Sequence, residues 1–266
     1  MTKLLRHGML MLTLLAPSFA GMQDGLDQRL RELREQAAEH PGRLDLRLAL
    51  GNTAVQAENY DMALQAFQEV LAAIDPDSAA AGDVELRIGE TYRRKGDLDS
   101  AATALGKARQ LLPDNPVVAG TLGLVFDLSG KFSEAEEAYR AALKLDPENP
   151  TTLNNLAYLL AMHGGGLDEA RSLAAKAHRI APDSADFADT LAVVYTRTGD
   201  LDTARTLLLD LVGRDPSDEG YRRHLAAVLD RESARNSSEQ ALLEALKATG
   251  SAASPDQITA LVAKIR

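Results

Sequence analysis

The chain is 266 residues long, 45% hydrophobic and 26% charged, and its 39 acidic and 29 basic residues give a net charge of −10. An acidic surface lacks the clustered lysine and arginine that displace counterions from nucleic acid, and it disfavours docking on anionic lipid head groups. Cysteine is absent, which excludes a disulfide framework, a thiolate metal site, a lipidated cysteine and a cysteine nucleophile.

At the N-terminus, Lys3 and Arg6 precede an apolar run from Met9 to Ala16 and then Pro17-Ser18-Phe19-Ala20. A basic start, a short apolar centre and small residues at Ser18 and Ala20 predict a signal peptide over residues 1–20, cleaved after Ala20, and hence a periplasmic or secreted protein. The run falls short of the ~20 apolar residues that a spanning helix needs, so no membrane insertion is expected after cleavage; retention as an N-terminal anchor is the alternative. Losing Lys3 and Arg6 would carry the charge from −10 to −12. Next, Leu26, Leu30, Leu33 and Ala37 fall on one stripe of an amphipathic helix. Residues 21–43 are therefore expected to cap whatever follows, with dimerisation through that stripe as the alternative.

From Leu44 the chain becomes periodic. Residues 44–77 carry Leu50-Gly51, Ala63, Phe67 and Val70, with Pro76 at the end, and Asp77 to Asp83 reads as a stretched connector with a local kink. Then Gly89, Tyr92, Ala101, Leu105, Ala108 and Pro113 are followed, at the same steps, by Gly123, Phe126, Ala135, Tyr139, Ala142 and Pro147, a period of 34 residues. Apolar residues three and four apart mark helix faces, and each period holds two of them. Gly96 and Gly130 sit between the two faces, where a left-handed residue ends a helix without a side-chain clash, and Pro113 and Pro147 close each unit.

A 34-residue unit of two helices with Ile88-Gly89 or Leu122-Gly123, an aromatic, an alanine and a terminal proline resembles the tetratricopeptide repeat. The resemblance implies an all-α fold, a right-handed superhelix of helix-turn-helix repeats, with five repeats at approximately 44–77, 82–115, 116–149, 150–184 and 185–218. In the fourth, one extra residue falls in His163-Gly164-Gly165-Gly166, a loosened turn rather than a phosphate loop, because neither a Gly-Lys-Ser/Thr ending nor a preceding strand accompanies it. The fifth returns to the strict steps through Ala192, Tyr195, Ala204, Leu208, Leu211 and Pro216. Residues 219–266 read as a degenerate sixth repeat with a widened turn at Arg235 to Ser238, then a capping helix from Ser254 to Ile265 announced by Ser254, Pro255 and Gln257.

No catalytic constellation emerges. His40, His163, His178 and His224 lack the spacing that pairs two imidazoles on one helical face, and no Gly-x-Ser-x-Gly elbow occurs. The reading is a non-enzyme with no cofactor and no metal. What remains is the surface that the family builds from its stacked first helices, and the resemblance assigns the inward-pointing positions. They are Asn52 in repeat one, Glu90, Arg93 and Arg94 in repeat two, and Asp127 and Leu128 in repeat three. Repeat four supplies Asn154, Tyr158 and Met162, repeat five Asp189 and Arg197, and Arg223 lies beyond; Val117, Leu124 and Val193 share the phase. An apolar middle with Arg93, Arg94, Arg197 and Arg223 toward the ends suits a peptide with an apolar centre and acidic flanks. Some family members clamp a C-terminal carboxylate with lysine and asparagine four apart. Here those positions hold Leu48 with Asn52 and Leu86 with Glu90, so the clamp's lysine is missing.

The resemblance implies a scaffold or adaptor that binds a peptide or protein segment, without nucleic acid. The segments Leu153 to Tyr158 and Asp189 to Ala192 look like those of bacterial exported repeat proteins, some of which serve polysaccharide export or outer-membrane assembly. The alternative is a self-associating module, a homodimer through its terminal helices.

Overall fold

A computed structural model of the protein describes residues 16–232, 237–247 and 253–265, with side chains from residue 24 onward. Most of the predicted signal segment and residues 235–236 of the predicted widened turn lie outside the described residues, and residues 237–238 of that turn are helical. The described residues form helices and no strands. They divide into two units, residues 1–125 and 126–266, the division falling within one helix.

The first unit opens with α1 (Ala16–Glu39), which runs through the predicted cleavage point after Ala20. Leu30, Leu33 and Ala37 are buried, Leu33 with 1% of its surface exposed, against the core of the next hairpin, α2 (Leu44–Gln56) and α3 (Tyr60–Leu71). Three of the four residues of the stripe offered for dimerisation are thus covered within the chain, and Leu26 is half-buried. The aromatic missing at Ala54 has a substitute, since Phe67 on α3 fills the space beside Gly51.

The expected connector at Asp77 to Asp83 is instead helical from Ala79 onward. Helix α4 spans Ala79–Lys95, because the Ser78 hydroxyl accepts the Ala81 N–H as an N-cap at 3.1 Å and three alanines follow. The pairing of α4 with α5 (Leu98–Leu111) depends on small residues: a methyl group added at Gly89 would stand 2.5 Å from Leu105 Cγ, and Ala101 is fully buried. Helix α6 (Pro116–Leu128) ends this unit and begins the next.

In the second unit α7 (Phe132–Leu145) buries Tyr139 completely. Helix α8 (Pro150–Leu159) is followed by a wider turn, Leu160–Gly164, closed by the Gly165 N–H on the Leu160 carbonyl five residues back at 3.0 Å. That bulge takes up the extra residue of repeat four. Helices α9 (Leu167–Ile180), α10 (Ala185–Thr198), α11 (Leu201–Arg214) and α12 (Glu219–Arg231) complete the regular hairpins. Helix α13 (Ser237–Lys247) and α14 (Pro255–Val262) then share one core with α11 and α12 through Leu208, Leu211, Leu225, Leu229, Leu242 and Ile258. The expected capping box forms between Ser254 and Gln257, but α14 stops at Val262 and residues 263–265 form a turn. Ile258 and Val262 are buried, so the apolar face of the C-terminal helix is also spent inside the chain.

Among the described residues the hairpin turns follow one rule with one exception. Gly96, Gly130, Gly165 and Gly199 all have positive φ, between 72° and 88°, whereas α2 ends through Glu58 at φ 57°. Glutamate in that region bears the steric cost that glycine avoids.

Candidate functional site

The candidate residues fall into two groups, one in each unit. In the first unit, α4 contributes Asp83, Leu86, Arg87, Glu90 and Arg93, and α6 contributes Val117, Thr121 and Leu124, to a groove of about 500 Å³. Repeat phase explains the meeting: these residues recur along the faces of two first helices. Val117 is 57% exposed, an apolar side chain with no core to enter. Leu86 and Leu124 are half-buried beside it.

The arginines of this groove differ from expectation. Arg93 donates from Nε and Nη2 to the two Glu90 oxygens at 2.8 and 2.7 Å, and Arg94 Nε donates to Glu90 Oε1 at 3.0 Å. Burial works against the Glu90 carboxylate, yet the two guanidiniums outweigh it and hold its pKa below the usual range; Glu90 in turn raises that of Arg93. Their i, i+3 and i, i+4 spacing on α4 brings all three together. Arg87 Nη1 reaches Asn52 Oδ1 at 2.9 Å. Arg93 and Arg94, proposed as docking points for an acidic flank, therefore share one carboxylate within α4, which offsets half of their charge.

In the second unit, Arg197 is likewise engaged. Its Nε donates to the Ala161 carbonyl at 3.1 Å and its Nη2 to the Met162 carbonyl at 3.4 Å, groups without intrahelical partners at the end of a first helix. Arg223 is exposed. Asp189 Oδ1 lies 2.8 Å from His224 Nδ1, a partner that the sequence reading did not pair with it. Tyr158 and Met162 are each 37% exposed and Leu128 is 54% exposed, as contact residues should be. Asn154 is buried, with its Oδ1 making no hydrogen bond among the described residues, and Val193 and Ala161 are buried core. Burial raises the Asp127 pKa, with nearby His163 opposing.

Two residues outside the predicted set join this second group. The rings of Phe132 and His163 stack at 3.7 Å between centroids and 10° between planes. The signal for this was the extra residue at His163 to Gly166, which shifts His163 out of the repeat phase. Among the described residues no three His, Asp or Glu side chains are grouped to hold a metal ion, and no helix is long and apolar enough to cross a membrane.

The arrangement defines a protein of stacked helical hairpins that presents side chains from its first helices. Over residues 21–210, more than half the chain, it matches the family model described as the cilia and flagella-associated protein 70 C-terminal domain. The chain belongs to this tetratricopeptide-repeat family, a family of protein-interaction scaffolds.

Comparison with curated proteins gives no match. Among solved structures, the chain is similar to the APC/C hetero-tetramer Cut9-Hcn1, with a TM-score of 0.66 and 17% identity, covering 86% of this chain and 47% of that one. It thus spans about half the length of that relative. It is also similar to PilF of Pseudomonas aeruginosa, with a TM-score of 0.65, 22% identity and coverage of 77% and 91%. YrrB, described as a TPR protein with an unusual peptide-binding site, has a TM-score of 0.56 at 19% identity, covering 76% and 97%. At these identities the likeness is one of fold, the all-α tetratricopeptide fold.

Proposed function

We propose that this protein is a non-catalytic adaptor of the cell envelope, which captures a peptide or an extended protein segment in the groove between α4 and α6. The observation that carries this reading is the exposed Val117 beside Leu86 and Leu124 in a groove of about 500 Å³. An apolar side chain left in water at a concave surface gains from a partner that covers it. Because Arg93 and Arg94 are already paired with Glu90, apolar contact contributes more here than acidic flanks would. The peptide-binding site described for YrrB supports the same use of the fold.

Export rests on residues 1–20, with Lys3, Arg6, the run Met9 to Ala16 and the small residues Ser18 and Ala20; the family match begins at residue 21. The mass of the protein recovered from its host decides whether the segment is cleaved: a chain starting at Gly21 supports export with cleavage, and an intact Met1 contradicts the cleavage after Ala20. A role in polysaccharide export or outer-membrane assembly rests only on the likeness of residues 153–158 and 189–192 to exported repeat proteins.

Quantitative affinity capture from envelope extract tests the groove. Val117→Glu places a charge in the apolar centre at an exposed position, so helicity should be unchanged while capture of the bound protein falls at least about tenfold. Equal capture by the variant would remove the groove from the account.

A further inference from the structure

The second unit carries an apolar patch that the α4–α6 groove does not explain. Phe132 and His163 stack face to face, both open to solvent on one side of the widened turn. Leu128, four residues before Phe132, and Met162, which precedes His163, are exposed as well. Four large side chains in water around two turns exceed the scattered apolar residues of an ordinary surface.

Asp127 borders this patch. It is half-buried, feels the charge of His163, and among the described residues forms no ion pair with lysine or arginine. Two arginines of the unit are committed elsewhere, Arg140 to Glu136 and Glu169 and Arg197 to two backbone carbonyls. On the adjoining turn, exposed Lys131 and Glu134 offset one another. A half-buried carboxylate without a strong cation, beside apolar surface on a chain of net charge −10, is complementary to a cation carried on an apolar segment.

We propose that this patch docks a basic, apolar segment of a protein partner: a lysine or arginine pairs with Asp127, and an adjacent apolar or aromatic residue covers the Phe132–His163 stack, Leu128 and Met162. This rests on the adaptor reading but uses a second surface, and it reverses the acidic flanks expected from the sequence. The cation meets Asp127, and the aromatic pair supplies the area that makes the contact specific.

The test is a magnetic-resonance titration of the isotope-labelled protein with two capped heptapeptides, Gly-Ser-Phe-Leu-Lys-Gly-Ser and the same peptide with glutamate in place of lysine. The expected result is saturable shifts at residues 127–132 and 160–165, with the lysine peptide bound at least about fivefold more tightly than its glutamate counterpart. Asp127→Asn should bring the two affinities together, whereas Phe132→Ser should weaken both alike. Circular dichroism first verifies that each variant keeps its helicity. Equal or reversed preference overturns the proposal, as does the absence of shifts at these residues. Shifts confined to residues 83–124 overturn it while supporting the groove. Shifts that grow with protein concentration and without peptide make a second copy the occupant and also overturn it. The adaptor reading falls separately, on the capture experiment with Val117→Glu.

Discussion

Glu58 offers a quantitative test of how the hairpins are built. Its φ of 57° places a side-chain-bearing residue where the later hairpins use glycine, at Gly96, Gly130, Gly165 and Gly199. The left-handed conformation costs an L-residue roughly 1–2 kcal/mol. Glycine removes that cost but loses more conformational freedom on folding, about 0.4–1 kcal/mol, so Glu58→Gly should stabilise the first unit by about 0.5–1 kcal/mol. The converse is Gly96→Ala: no atom lies within 4 Å of the added methyl, so about 1 kcal/mol should be lost by conformation alone. The chain has no tryptophan, so the assay is urea unfolding followed by far-ultraviolet circular dichroism. Glu58→Gly should raise the midpoint and Gly96→Ala lower it, both with unchanged slope. A loss of stability in Glu58→Gly would refute the steric argument and show that the glutamate side chain contributes more than its backbone costs.

Further outcomes follow from packing and charge. Gly89→Ala forces a methyl to 2.5 Å from Leu105 Cγ and should cost about 1–3 kcal/mol by overpacking, measured in the same unfolding assay. Tyr139→Ala empties a fully buried position and should cost about 3–5 kcal/mol. The Glu90 pKa is lowered in the folded state; its contribution is therefore present above the unfolded value and is lost as pH falls through the folded value. Urea midpoints of the native protein should drop more steeply than those of Glu90→Gln across the acid range below pH about 4.5. Arg197→Ala leaves the Ala161 and Met162 carbonyls without their donors, and amide exchange at residues 161–166 should quicken, reflecting a loss of about 1–2 kcal/mol.

The fold was legible because its determinants are local and repeated. Gly89 with Ala101 and Gly123 with Ala135 fix where two helices touch, and Gly96 and Gly130 fix where one ends; spacing alone carries that information. The start of α4 was not legible in the same way, because Asp77 to Asp83 reads as a connector until Ser78 is recognised as a cap for the alanines that follow. The candidate sites were legible as positions but not as charge states. Repeat phase places Glu90, Arg93 and Arg94 on α4, and nothing in the phase says that both arginines would pair with the one carboxylate. The engagement of Arg197 is not legible in its phase either, because the carbonyls that hold it are those left without partners at the end of the preceding first helix, and Arg231 meets Thr196 in the same way. The Phe132–His163 stack arises where an inserted residue widens the turn after α8. Departures from the repeat, which pattern matching discounts, are where the distinctive surface of this chain arises.

The central claim is that the concave groove of the first unit binds a protein segment. It is tested most directly by placing a photo-crosslinking amino acid at Val117 and, separately, at Arg109, an exposed position on α5 outside the groove, and irradiating intact cells. A discrete crosslinked partner from Val117 and none from Arg109 is the predicted result. A partner captured from Arg109 alone, or from neither position, would contradict it.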